Sequence, residues 1–210
     1  MAAFLQNFRN VMILSTILAL IMVFAFGRAS GQFDIVFWQA TFRWIHVFFG
    51  ILWIGLLYYF NFVATRKTPE IPPELRPALT KYITPEALFW FRYGALFTVL
   101  AGLCVIGLRE SVIKGYAAGV FSLGFSAGGP SEKQGKAYLL MGIGVYLALI
   151  MFINVWGVIW PNQKKVLGIV PADDDAKAAA GRVAGMASRI NTLLSLPMLT
   201  SMAMYQTLFG

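Results

Sequence analysis

Long apolar runs occupy most of this sequence, and short clusters of charged residues separate them. An α-helix needs about 20 mostly apolar residues to cross the hydrocarbon core of a bilayer. Five runs approach or exceed that length, at about 11–27, 38–64, 87–108, 137–160 and 190–209. Backbone polar groups inside lipid must be satisfied internally, and a helix does this within one segment. The sequence therefore predicts an all-α integral membrane protein, a bundle of about five transmembrane helices in a single domain, 1–210.

The charge content supports this fold class over a soluble one. Only 12% of the residues are charged, against roughly 25% in a typical soluble domain. The net charge of +8 is of the kind that marks nucleic-acid-binding proteins. However, the basic residues lie in short clusters between apolar runs, where cytoplasmic membrane loops collect them. We therefore predict a lipid bilayer as the main partner and no nucleic acid.

Two apolar segments need separate interpretation. The run at 11–27 resembles a signal peptide, but it exceeds the usual apolar region of about 7–15 residues, so we expect a retained anchor. The segment at 112–129 is rich in Gly and Ser and barely long enough to cross a bilayer. We expect a short interfacial or re-entrant segment there, in preference to a sixth span.

The connections between spans carry helix-breaking and helix-capping signals. Five prolines between 66 and 86 predict a loop, with Thr84 as N-cap and Pro85 as the first residue of the third span. The stretch 170–188 predicts a loop with a short helix capped by its aspartates. Pro197 predicts a kink in the last span.

The distribution of Lys and Arg predicts the orientation. With five spans, one side of the membrane holds ten of these residues and the other holds five. Because cytoplasmic loops carry the excess of positive charge, we predict a cytoplasmic N-terminus and a periplasmic C-terminus in a bacterial inner membrane.

One predicted site surrounds the only histidine of the chain, His46 on the second span. Arg43, Gly50 and Trp53 share its helical face by their spacing. A neutral imidazole in a dry site suits a haem iron, with Gly50 leaving space beside the ring and Trp53 forming a wall. The alternative is a histidine hydrogen-bonded to a neighbouring helix, beside an arginine that extends to the headgroups. A single histidine also excludes bis-histidine ligation within one chain.

A second set of polar residues lies in the predicted cytoplasmic halves of the spans: Asn61, Arg92, Asn154 and Asn191. Arg92 stays protonated, so it needs hydrogen-bond acceptors or an anion, and the spans contain no Asp or Glu. The set is therefore either a structural polar cluster between helices or an anion-binding site. Gly94, Thr98 and Gly102 recur every fourth residue on the third span and predict close helix packing.

Several longer strings resemble one known family. They are 43–47 (RWIHV), 50–55 (GILWIG), 58–62 (YYFNF), 90–98 (WFRYGALFT), 154–165 (NVWGVIWPNQKK) and 188–198 (SRINTLLSLPM). Together they resemble the membrane domain of the bacterial membrane-bound urate oxidase (urate hydroxylase) family, in which a cytochrome c domain follows. The sequence has no CxxCH haem-attachment motif, so we expect a short stand-alone form that corresponds to the membrane half.

The resemblance implies a redox membrane subunit that works with a separate cytochrome c or with other membrane subunits. If the resemblance extends to residue roles, His46 would be the redox-site residue, with Arg43 and Trp53 beside a haem b. Arg92 would then belong to the polar cluster. The competing hypothesis is a non-catalytic accessory subunit of a larger membrane complex. A small transporter that uses Arg92 as an anion site is a third, but the repeats usual in transporters are missing.

Overall fold

The computed structural model describes residues 2–29, 31, 33–129 and 131–209, and this part of the chain forms helices and contains no strand. Apart from single turns at Ala2–Leu5 and Phe125–Ala127, the described residues form six helices. These are α1 (Phe8–Ala29), α2 (Ile35–Glu70), α3 (Arg76–Val112), α4 (Tyr116–Phe121), α5 (Lys133–Val166) and α6 (Asp174–Leu208).

Among the described residues, four helices are long and apolar enough to cross a membrane: α1, α2, α3 and α5. This confirms the predicted all-α membrane bundle. Helix α6 is also long, at 35 residues, but its polar first turns and its buried Asn191 and Ser195 make it less apolar. That α6 crosses the membrane as the fifth span therefore stays a prediction.

The bundle is built from two antiparallel helix pairs. Helix α2 runs along α3, and α5 is joined to α6 by hydrogen bonds at both ends of their contact, from Asn154 to Asn191 and from Ser201 to the backbone of Leu140. Helix α1 stands apart, since only 6% of the residues in its most apolar 18-residue stretch are buried, against 33% in the corresponding stretch of α5. Its surface is therefore left to lipid or to another protein.

The predicted loop at 66–86 is wrong in extent, because helical structure leaves only residues 71–75 irregular. Pro69 and Pro77 lie in the first turns of short helical segments, where a missing N–H costs no helical hydrogen bond. Pro85 follows a π-helical turn, Leu79–Ile83, and such a wider turn accommodates the break in the hydrogen-bond ladder. Thr84 is consequently not an N-cap, because the chain is already helical before it.

The predicted short helix within 170–188 is also wrong in length. Asp173 does cap a helix, its Oδ1 accepting a 2.7 Å hydrogen bond from the amide of Ala176. That helix is α6, which runs without interruption through the predicted fifth span and contains Pro197. The small residues Ala180, Ala184 and Ala187 of this stretch are buried because they pack against other helices.

The segment 112–129 forms the six-residue helix α4 and a single 3-10 turn. Six residues rise only about 9 Å, so this helix cannot cross the bilayer by itself, in agreement with the predicted short segment. Glu110 fixes its start by accepting hydrogen bonds from the amides of Gly115 and Ala117, at 2.8 and 2.7 Å. Val120 packs in one buried cluster with Met141 of α5.

Candidate functional site

His46 lies in the interface between α2 and α3. Its Nδ1 is 2.8 Å from the backbone carbonyl oxygen of Thr98. A carbonyl only accepts, so Nδ1 carries the proton and donates it, and Nε2 of the neutral ring keeps a free lone pair. The structure thus shows the hydrogen bond to a neighbouring helix that one interpretation expected. It also leaves available the one nitrogen that a metal ion would use.

The small residues of α3 let α2 approach closely. A Cβ atom at Gly102 would lie 2.9 Å from Nδ1 of His46, and one at Gly94 would lie 3.3 Å from the backbone nitrogen of Trp53. A Cβ atom at Gly50 would contact the methyl group of Thr98 at 3.8 Å. Gly50 therefore serves the helix contact, and the side of the imidazole that faces Gly102 is filled.

The other two residues of the predicted haem site differ in their surroundings. Trp53 is 1% exposed and packs in the core with Leu57 and Phe91, so its part in a haem site stays a prediction. Arg43 is half-buried, and its Nε has no hydrogen-bond partner among the described residues. A haem at Nε2 of His46 fits this donor set, with the unpaired Arg43 Nε available to a propionate oxygen.

The predicted amide residues join α2, α5 and α6. Nδ2 of Asn154 donates 2.8 Å hydrogen bonds to Oδ1 of Asn191 and to the carbonyl oxygen of Ala187. Asn191, which is fully buried, donates from its own Nδ2 to the carbonyl oxygen of Met151 at 3.1 Å. Nδ2 of Asn61 reaches Oγ of Ser188 at 2.8 Å. These contacts are those of a structural cluster that links helices.

Arg92 does not join this amide cluster. It is 9% exposed, and its guanidinium carbon lies 3.3 Å from the ring centre of Trp160 on α5. Its Nε and Nη1 have no hydrogen-bond partner among the described residues, and neither does the buried Nε1 of Trp156. A desolvated cation–π contact contributes about 2 kcal/mol, but burying an ion costs several kcal/mol in practice. The stacking on Trp160 therefore offsets only part of the free-energy cost of burying the Arg92 charge.

Sequence reasoning missed three features of these sites. Tyr58 and Ser195 are joined at 3.0 Å between α2 and α6. Arg109, one residue beyond the predicted third span at 87–108, lies on α3 with its guanidinium carbon 5.1 Å from the ring centre of Tyr116. The third feature is a pair of π-helical turns, Tyr59–Ala64 and Val155–Ile159, which begin next to the polar cluster and are frequent at functional sites. The first two features each join an aromatic residue to a polar one, and the presence of both residue types is the one signal that the sequence offered for them.

The described residues contain no group of three or more His, Cys, Asp or Glu side chains that could hold a metal ion.

Comparison with known proteins supports the resemblance over the C-terminal part of the chain. Residues 131–209, which include α5 and α6, match the family model described as Urate oxidase N-terminal. This confirms the predicted likeness to that membrane domain for the segment that carries Asn154, Trp160 and Asn191. A search of curated proteins and a search of solved structures each found no match.

Proposed function

We propose that this chain, whose residues 131–209 match the urate oxidase N-terminal model, is a membrane subunit of a redox complex. It would work in the inner membrane of a bacterium, with its N-terminus cytoplasmic and its C-terminus periplasmic. A separate cytochrome c or a larger membrane complex would exchange electrons with it. The observation that carries this proposal is the family match, and the availability of Nε2 on His46 supports it.

In this proposal His46 would hold a haem b through Nε2, and the haem would supply one-electron transfer when bound. The hydrogen bond from Nδ1 to Thr98 fixes the tautomer and the ring orientation, as outer-shell partners of metal-binding histidines do. Nε of Arg43 lies three residues away on the same face and has no hydrogen-bond partner in the described part of the chain, so it would bind a propionate. Gly102 keeps the ring against α3, because any larger residue would push it away.

The wild-type chain is produced in cells that are supplied with a haem precursor and is then purified. The haem proposal predicts that this protein shows a Soret band. Replacement of His46 by asparagine keeps a side-chain donor for the Thr98 carbonyl but removes the imidazole ligand. We expect His46→Asn to fold like the wild type and to lose the Soret band, and His46→Ala to lose both the band and some stability. Addition of free imidazole to His46→Ala should restore part of the absorbance.

Two outcomes of this experiment would contradict the haem proposal. One is a wild-type protein without Soret absorbance. The other is a His46→Asn variant that absorbs like the wild type, which would place any haem elsewhere. In either case His46 would not be a haem ligand, and its hydrogen bond to Thr98 would be the role that the structure shows.

A specific observation also favours a second function, that of a non-catalytic accessory subunit. Only 6% of the residues in the most apolar stretch of helix α1 are buried, so α1 contributes little to the bundle and offers a long apolar surface to another membrane protein. Extraction of native membranes with a mild detergent tests this function. An accessory subunit would be recovered with partner subunits, and the redox activity of the complex would survive His46→Asn. Recovery as a stable monomer that is itself redox-active would exclude it.

A further inference from the structure

We propose that Arg92, Trp156 and Trp160 form a binding site for the phosphate group of an anionic phospholipid. The site lies between α3 and α5, at the end of the bundle where α2 leads into α3 and α5 leads into α6. This goes beyond the proposed redox function, and it does not depend on a haem at His46.

The first argument is that the unsatisfied groups are all donors. Nε and Nη1 of Arg92 and Nε1 of Trp156 are buried and have no partner among the described residues. All three side chains lie where α3 contacts α5. Arg92 stacks on Trp160, and the next residue of α3, Tyr93, meets Trp156 with 5.9 Å between the ring centres. Donors without acceptors call for a ligand that only accepts, and a phosphate oxyanion is such a ligand.

The second argument is the charge. A guanidinium cannot lose its proton at any physiological pH, so burial cannot neutralise it. The described residues give Arg92 no ion pair, since the salt bridges among them are Lys67–Glu70 and Lys177–Asp174. A buried cation without a counter-charge is strongly unfavourable. An anion from outside the chain is therefore what completes the site.

The third argument is the depth of the site. Arg92 lies five residues inside the predicted span that starts at 87, which is about 7 Å along a helix. Trp160 is the last residue of its own predicted span, and Lys164 and Lys165 occupy the next turn of α5. A tryptophan and lysines at a span end are typical of the headgroup region, where basic residues attract anionic lipids. Phe89 and Val158, on the same two helices, are 42% and 37% exposed, so acyl chains can cover them.

The test measures the thermal unfolding of the full chain, purified in detergent and stripped of lipid. Three probes are titrated separately: phosphatidylglycerol, diacylglycerol with the same acyl chains, and inorganic phosphate. We expect phosphatidylglycerol to raise the melting temperature and diacylglycerol to leave it unchanged. In Arg92→Gln the apparent Kd should weaken by about tenfold or more, the loss expected for paired charge-assisted hydrogen bonds.

The matched control is Arg76→Gln, on the same helix. Nε and Nη2 of Arg76 already donate to the carbonyl oxygens of Ile71 and Pro69, so this variant changes the net charge equally and should keep the wild-type response. If Arg92→Gln fails to fold, Arg92→Lys takes its place. It keeps the charge but loses the planar fork, and it should bind more weakly than the wild type.

The outcomes separate the sources of the phosphate and can overturn the proposal. Stabilisation by inorganic phosphate alone, lost in Arg92→Gln, would identify a free anion as the ligand in place of a lipid. An equal effect of diacylglycerol and phosphatidylglycerol would show that acyl chains act without the phosphate, and the proposal would be wrong. The same holds if both Arg92 variants respond to phosphatidylglycerol like the wild type.

Discussion

Replacement of Gly142 by alanine is expected to destabilise the protein by about 2 kcal/mol. Gly142 lies in α5 where it crosses α4, and an added Cβ would overlap the backbone carbonyl oxygen of Val120 and lie 2.8 Å from Cδ2 of Leu123. A backbone atom cannot move aside as a flexible side chain can. Overpacking of this kind costs up to about 3 kcal/mol, which exceeds the gain of about 1 kcal/mol when alanine replaces glycine in a helix.

The control for this prediction is Gly107→Ala on α3, where an added Cβ would meet nothing within 4 Å. The same change should there raise stability by up to about 1 kcal/mol, because only the helix propensity acts. Unfolding in detergent, followed by circular dichroism, measures both variants. Opposite signs support close packing of α4 on α5, whereas two stabilised proteins would show that α4 does not lie against Gly142.

Replacement of Asn191 by leucine is expected to cost about 2 kcal/mol, since each lost hydrogen bond contributes about 1 kcal/mol. The leucine has a similar shape, but it removes the acceptor of Asn154 and the donor to the carbonyl oxygen of Met151. The site is fully buried, so no water can replace these partners. Denaturant unfolding of the purified variant in detergent measures the effect.

Two comparisons show whether the loss belongs to the amide cluster. Asn162→Leu removes an amide that makes a solvent-exposed hydrogen bond to the carbonyl oxygen of Val158 on its own helix, and it should cost less than about 0.5 kcal/mol. The double variant Asn154→Leu with Asn191→Leu should cost less than the two single losses together, because they share one hydrogen bond. Additive losses would mean that the two amides do not interact.

The residues that carry polar groups could be identified from sequence, but the grouping of these residues could not. Asn61, Arg92, Asn154 and Asn191 looked like one set because each interrupts an apolar run. The three asparagines do bond between helices, while Arg92 stacks on Trp160. Which side chains meet depends on helix rotation, and π-helical turns at Tyr59–Ala64 and Val155–Ile159 change that rotation in a way that a regular helical period does not predict.

Hydropathy by itself determined that this chain is an all-α membrane protein, because a long apolar run in lipid has few ways to satisfy its backbone. Sequence also located the capping aspartate at the start of α6, since that interaction is local. The tertiary structure decided the rest. It placed His46 against Thr98, buried Trp53 in the core and left Nε and Nη1 of Arg92 without acceptors among the described residues. These facts depend on how residues far apart in sequence pack, and a local pattern carries no information about that.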